Sequence, residues 1–288
     1  MEVIRQPGGA RALLRAGLPD QTVGLAWLGQ AGFALRHAGR RWLMDPYLSD
    51  HLARKYAGTE FPHERMMPPP IAAEEIRDLD FVLCSHRHSD HMDPGSLPTL
   101  AANNPGCRFV VPRAELESAA NIGLPTARLI PANDGDAIRV SDAIAIHVLP
   151  SAHETLQVNE RGEHHFLGFI LKLGGLTLYH SGDCVIYDGL AERLCSWRID
   201  LALLPVNGRG RGVPGNLTFA EAHALCRAAR IPALVPHHFG LFAFNTVDPA
   251  ELQREITAAG PGVNCWLPTV ECHWLFSVSS RCLPQHQP

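Results

Sequence analysis

Residues 81–93 read FVLCSHRHSDHMD: a short apolar run, Phe81–Cys84, stops at Ser85 and leads straight into His86. Such a run suits a strand covered on both faces, where neither side of the sheet meets water. Beyond it His86, His88, Asp90 and His91 lie within six residues. His86 and His88 are two apart, so at a strand end they project to the same side. Asp90 and His91 follow in a turn, where neighbouring side chains can diverge toward two centres. Three imidazoles and a carboxylate form a donor set suited to Zn2+ or a similar divalent ion. A merely solvated polar turn has no reason to hold three histidines in this register.

Upstream, Thr22–Leu28 (TVGLAWL), Gly32–Arg36 (GFALR) and Arg41–Met44 (RWLM) predict a β-meander, ended by the turn Asp45-Pro46. Downstream, Asp93-Pro94 predicts a helix start, with Asp as N-cap and Pro at the first helical position. Strands are expected at Arg108–Val111, Arg128–Ile130 and Ala143–Leu149. The second half repeats the plan loosely. Phe166–Leu173 and Leu176–His180 predict a hairpin around Gly174-Gly175, because paired glycines accept the positive φ of a tight turn. Asp200–Leu204 and Ala233–Val235 are short buried strands flanking a helix, Leu217–Arg230, whose Thr218 and Glu221 form a capping-box pattern. Asp248-Pro249 opens another helix through Ala259, and strands Val263–Leu267 and Glu271–Val278 close the chain. Strand clusters followed by helices, occurring twice, predict an α/β fold of two sheets packed face to face with helices outside. No Ser/Gly-rich or charged linker interrupts the chain, so residues 1–288 read as one domain, with 282–288 a flexible tail.

Composition agrees with an ordinary soluble globular protein: 46% of the 288 residues are hydrophobic and 19% charged. A net charge of -4 gives no electrostatic footprint for wrapping DNA or RNA. The first twenty residues lack the continuous apolar core of a secretory signal, and no window approaches 18 uninterrupted apolar residues, so no membrane span is expected. The eight cysteines are scattered singly with no CxxC pair, which favours reduced thiols and a cytoplasmic location. The 16 histidines cluster at the ends of the expected strands, an unusual placement for the commonest metal-ligating side chain.

HxHxDH after a short apolar strand resembles the signature of the metallo-β-lactamase superfamily. Its later elements occur in the same order: PSAHE (Pro150–Glu154) supplies His153, SGD (Ser181–Asp183) supplies Asp183, and PHHF (Pro236–Phe239) supplies His237 or His238. Within the superfamily, YHSGDCVIYDGL (Tyr179–Leu190), LPVNGRG (Leu204–Gly210) and VPHHFGLFAFNTVDPAEL (Val235–Leu252) are similar to the ascorbate-6-phosphate lactonase-like branch. The resemblance implies a four-layer αββα sandwich with the active site at one edge of the sheets. It implies two divalent ions, Zn2+ or Mn2+: one on His86, His88 and His153, the other on Asp90, His91 and His238, with Asp183 bridging. Alignment on Pro236 favours His238 over His237 as the last ligand. The chain departs from the branch's own lactonase pattern in carrying a histidine at position 153.

The remaining histidines have blander readings. His147 lies in an alternating strand, His180 ends one and His223 sits in a helix, and such residues are usually hydrogen-bonded structural histidines. His164 and His165 precede a strand and could reach the pocket mouth. Cys184, beside Asp183, reads as a buried thiol.

Two cations about 3.5–4 Å apart lower the pKa of a shared water toward roughly 7. They also stabilise the oxyanion formed when hydroxide attacks a carbonyl or a phosphodiester. Asp90 is the catalytic candidate, binding metal and orienting the nucleophile. In the loop Asn207–Gly212, Arg209 and Arg211 could clamp an anionic substrate, with Asn207 and Asn245 as further candidate contacts. The reading is a hydrolase of a small lactone, such as an anionic sugar lactone. The alternatives are a phosphodiesterase of the same superfamily and, from another class, a non-catalytic metal-binding protein. A small-molecule substrate is the expected partner, without nucleic acid or membrane; a homo-oligomer is compatible with the sequence.

Overall fold

The computed structural model describes residues 2–210 and 213–277, which build two sheets of eight and seven strands. The first sheet takes β1 (Glu2–Pro7), β2 (Thr22–Gly29), β3 (Gly32–His37), β4 (Arg40–Met44), β5 (Phe81–Leu83), β6 (Arg108–Pro112) and β7 (Leu129–Ala132). The second takes β8 (Ala137–Arg139), β9 (Ile144–Pro150), β10 (Leu167–Leu173), β11 (Leu176–His180), β12 (Leu201–Pro205), β13 (Ala233–His237) and β14 (Asn264–Cys265). The last strand, β15 (Cys272–Ser277), returns to the first sheet between β1 and β2. Each sheet has an antiparallel half and a parallel half: β4 to β7 run parallel to one another, as do β11 to β14. The loose repetition expected from the sequence is this shared plan.

The layering follows from the two-residue period of the strands. Val23, Leu25 and Trp27 of β2 join Phe33, Leu35, Trp42 and Met44 in a core shared with Ile146, Val148, Phe169 and Leu171 of the other sheet. The alternate residues Ala26, Leu28, Ala34 and Leu43 face outward, onto α1 (Gly9–Arg15), α3 (Leu97–Asn103) and α4 (Leu116–Asn121) through Leu13, Leu97, Leu100 and Ala119. Between α1 and α3 lies the short α2 (His51–Lys55). The second sheet is covered by α5 (Leu190–Cys195), α6 (Phe219–Ala228) and α7 (Pro249–Ala258), which contribute Leu194, Ala222, Leu225 and Leu252. The result is the αββα sandwich. Among the described residues no helix is long and apolar enough to cross a membrane.

Local expectations held where a side chain or a turn dictates the backbone. The β10–β11 hairpin pairs Leu173 with Leu176 around Gly174, at φ 61°. Asp248 caps α7, accepting from the amides of Ala250 (2.8 Å) and Glu251 (3.1 Å). The helix after the histidine motif differs from expectation, starting at Leu97 rather than Pro94. The Asp93 carboxylate is engaged in holding Ser49 Oγ (2.8 Å), Gly95 N (2.8 Å) and Ser96 Oγ, so it ties a turn to a neighbouring loop instead of capping a first helical turn. The sequence reading also passed over β1, α1, β8, α4 and α5, which are short. The expected tail 282–288 and Arg211 lie outside the described residues.

At the start of α6 the Thr218 hydroxyl accepts from Glu221 N (3.3 Å), while the Glu221 carboxylate accepts from Thr218 N (2.8 Å). Removing an N-cap hydroxyl costs about 0.5–2 kcal/mol, which in a chain of this size lowers Tm by about 1–3 °C. Thr218→Ala should show that drop in a thermal melt and Thr218→Ser should not. An unchanged Tm in both variants would mean that the cap contributes nothing.

Candidate metal centre

Loops leaving the carboxyl ends of strands in both sheets converge at one edge of the sandwich, the usual position of sites in open α/β sheets. β4 delivers Asp45, β5 delivers Ser85–His91, β9 delivers His153, β11 delivers Asp183 and β13 delivers His238. Backbone bonds stitch the loops together: Leu167 N to Ser85 O (2.9 Å) and His238 N to Gln30 O (2.9 Å) join the two sheets, and Val185 N to Ala152 O (2.8 Å) joins two loops of the second. Gly182, at φ 60°, lets the chain turn against the histidine motif. A Cβ at that position would sit 2.5 Å from the Cβ of Ser85.

Asp183 stands at the middle. Its Oδ1 lies 3.3 Å from His91 Nε2 and 3.2 Å from His238 Nε2, and its Oδ2 lies 3.5 Å from His153 Nε2 and 3.9 Å from His86 Nε2. Asp90 Oδ2 faces the same side as Oδ1, 3.7 Å from His91 Nε2 and 3.6 Å from His238 Nε2. The side chains therefore fall into two groups, His86, His88 and Asp183 in one and Asp90, His91 and His238 in the other, with the donor atoms of each group within 4.8 Å of one another. His153 joins the first through Asp183, and its ring lies 5.1 Å from that of His88. The motif occupies a tight turn beyond β5 rather than the strand end, so turn geometry and not strand alternation brings His86 and His88 together, at 4.6 Å between ring centroids.

These residues fit divalent cations. His86 Nε2, His91 Nε2 and Asp183 Oδ1 are buried without a hydrogen-bond partner, and all face the shared space. A buried polar atom left without a partner costs about 1–3 kcal/mol, and three converging donors of this kind are what a cation satisfies at once. The charge balance points the same way. Burial alone would raise the Asp183 carboxyl, yet His238 and His91 hold it well below the usual carboxylate range. Asp90 is likewise held low against its burial by His91 and His238. Burial opposes protonation of His238, but Asp183 and Asp90 push it up to about 9. His91 is raised in the same way by Asp183, Asp90 and Asp45. On the other side burial and the neighbouring imidazoles push His86 well down, leaving a neutral ring.

A supporting layer orients the imidazoles, as second partners do in metal sites generally. Asp45, buried at the end of β4, accepts from His91 Nδ1 (2.8 Å), Ser85 N (2.7 Å) and Ser85 Oγ (2.5 Å). Ser85 Oγ also lies 2.9 Å from His86 Nδ1. Gln30, in the β2–β3 turn, donates to Asp90 Oδ2 (2.8 Å). Phe166 packs on the rings of His86 and His153. Sequence reasoning missed all four residues. Asp45 read as part of a turn, Ser85 as a strand end and Phe166 as a strand start, none with a role at the site. His165, expected near the pocket mouth, pairs with the buried Glu115 (2.6 Å) beside Arg87.

The sequence-expected residues divide cleanly. His86, His88, Asp90, His91, His153, Asp183 and His238 come together. His237 does not: it is buried, stacked on His180 at 5.2 Å and edge-on to Phe33. Arg209 is held away from the cavity. Its guanidinium bonds to Asn216 O (2.8 Å) and to the Glu221 carboxylate of the α6 cap, and it does not line the cavity. Asn207 is buried behind the cavity, donating to Asn245 Oδ1 (2.8 Å) and accepting from Asn216 Nδ2 (3.1 Å). Asn245 does line it.

Comparison with known proteins agrees with this architecture. Residues 40–239 match the family model of the β-lactamase superfamily domain. A "UPF0173 metal-dependent hydrolase" of Caldivirga maquilingensis is 26% identical over 84% of this chain and 93% of that protein. The "Probable L-ascorbate-6-phosphate lactonase UlaG" of Escherichia fergusonii is 25% identical over 81% of this chain and 73% of that protein. Among solved structures, an isothiocyanate hydrolase from Delia radicum gut bacteria shares the fold, with a TM-score of 0.72 over 87% of this chain and 98% of that one at 17% identity. A match over more than half of the chain, together with two sheets whose loops meet at the histidine motif, places it: the chain belongs to the metallo-β-lactamase superfamily.

Proposed function

We propose that this metal-dependent hydrolase opens a small lactone, with His86, His88, His153 and Asp183 holding one Zn2+ or Mn2+ and Asp90, His91, His238 and Asp183 a second. The observation that carries the reading is the buried Asp183 carboxylate, whose two oxygens face two separate groups of imidazoles. The ions would supply Lewis acidity toward water and toward the ester carbonyl. Asp90 orients the attacking water through its carboxylate, and Gln30 fixes the angle of that carboxylate by its bond to Oδ2. Water adds to the carbonyl carbon, the acyl–oxygen bond breaks, and the ring opens to a hydroxy acid. The name of the Escherichia relative supports the choice of a lactone. An anionic group on the substrate would meet Arg87 or Lys55, which line the cavity, instead of Arg209. The seven described cysteines are unpaired, in keeping with a cytoplasmic enzyme.

The layer behind the ligands gives a first test. Losing a partner that orients a ligating histidine typically costs about 10- to 100-fold in metal affinity or activity. Asp45→Asn should weaken metal binding by that factor, measured by competition with a chelator, while circular dichroism stays native. Undiminished affinity would remove Asp45 from the site.

The adjacent histidines separate by metal stoichiometry. His238→Ala should lose about one of two ions and most of the rate. His237→Ala removes a ring from the core and should lower Tm while keeping both ions. The reverse ranking would assign the ligand to His237.

Substrate charge gives a third test. Arg87 is mostly exposed, and an exposed charge pair contributes about 0.2–1 kcal/mol, at most about fivefold. Arg87→Ala should raise KM for a carboxylate-bearing lactone by up to that factor over a neutral analogue. Arg209→Ala should treat the two substrates alike and lower Tm instead. Discrimination by Arg209 alone would restore the loop as an anion clamp.

A further inference from the structure

The cavity over the metal centre measures about 690 Å³, and its two sides differ in chemistry. Imidazoles and carboxylates form the floor. The facing wall is built from the rings of Tyr56, Phe61, His63, Phe242 and Phe244, with Leu52 behind them. We propose that this wall is a binding subsite for a flat apolar group, an aryl ring carried by the substrate next to the bond that is cleaved. The inference rests on the hydrolase reading for the identity of that bond, and on the wall itself for what is bound.

Four observations carry it. The rings are in mutual contact: Tyr56 stacks on His63 at 4.2 Å, His63 meets Phe242 and Phe244 edge-on at 5.0 and 4.6 Å, and Phe61 lies 5.4 Å from Phe244. Tyr56, Phe61, His63 and Phe244 are nevertheless only half-buried, so the cluster seals no core and presents apolar surface to the cavity. Covering such surface with a ligand removes it from water, which is favourable in proportion to its area.

The wall is also held in place before any ligand arrives. Met66 N donates to Leu241 O (2.8 Å), forming with the Arg65–Phe242 bridge a link between the loop after α2 and the loop after β13. Arg65 donates to Tyr47 O (3.2 Å) and Ser49 O (3.3 Å), tying that link to the first sheet. A pre-formed wall loses little freedom on binding.

Two polar side chains of the lining are already engaged by the protein. The amides of Asn216 and Asn245 are turned toward Asn207 and Cys184 N. Finally, rings that present both faces and edges complement the quadrupole of another aromatic ring in a way that they do not complement a saturated one.

The test uses the full-length, metal-loaded chain and two readouts. In calorimetric titrations, 4-phenylbutyrate should bind about tenfold tighter than butyrate and about threefold tighter than 4-cyclohexylbutyrate, the scale set by aromatic pairing. Phe244→Leu and Phe61→Leu keep apolar volume and remove a ring. With a native melt, each should weaken 4-phenylbutyrate about 3- to 10-fold more than 4-cyclohexylbutyrate. In parallel, kcat/KM for γ-phenyl-γ-butyrolactone should exceed that for the γ-methyl homologue, through KM. Equal binding of phenyl and cyclohexyl acids, or equal losses in the variants, would overturn the aryl subsite. Selective binding of 4-phenylbutyrate without opening of any lactone would leave the subsite standing and sink the lactone reading alone.

Discussion

A buried carboxylate that must face two groups of imidazoles at once is the constraint around which this structure is arranged. An ionised Asp183 in a low-dielectric interior is tolerable only with close positive or donor partners. The fold supplies His91 and His238 on one oxygen and His86 and His153 on the other. Those four histidines leave three different strands, two from β5 and one each from β9 and β13, so no local segment could build the site. Both sheets have to be in register for the carboxylate to be satisfied.

The duplicated sheet plan is what makes that possible. In each sheet the parallel half aims its carboxyl ends at the same edge, and the shared core of Trp27, Phe33, Ile146 and Phe169 sets the spacing between the two edges. Bonds between loops then set finer positions: Leu167 to Ser85 ties the second sheet to the histidine motif, and His238 to Gln30 ties the last ligand to the first hairpin. Packing alone would place the loops only to within the freedom of their ends. The cross-sheet backbone bonds, buried and therefore costly to leave unmade, bring the side chains to within 3–4 Å of one another.

The sequence exposed the part of this that is local. The histidine motif, the Ser-Gly-Asp turn and the Pro-His-His-Phe segment each carry several unusual residues close together, so they stand out without knowledge of the fold. The meander of β2 to β4, the capping box of α6 and the Asp-Pro start of α7 were legible for the same reason. Asp45 and Gln30 left no such trace, because a single Asp in a turn and a single Gln in a hairpin are ordinary until their three-dimensional neighbours are known. The aromatic wall was equally silent: Tyr56, Phe61 and His63 sit in an irregular stretch with neither helical nor strand period. Arg209 shows the opposite case. A charge in a glycine-rich loop is conspicuous, but sequence does not say which way it turns, and Glu221 three residues into the next helical segment claimed it.

Of the eight described residues other than glycine with positive φ, three lie at the centre. Gln30 (φ 51°), Asp45 (φ 42°) and His238 (φ 64°) all lie in the left-handed region, where glycine is the undemanding choice and a residue with a Cβ costs about 1–2 kcal/mol. Glycine does occupy such a position nearby, at Gly182, where a side chain would collide with Ser85. At the other three positions a side chain is present despite the cost, and in each case it touches the centre: Gln30 through Asp90, Asp45 through His91, His238 directly. The left-handed turn also serves the placement, since it swings a side chain off the line of its strand and into the gap between the sheets. For His238 it reverses the direction set by His237, sending one imidazole into the core and the next into the site. Two adjacent histidines with opposite roles are thus separated by a single backbone conformation.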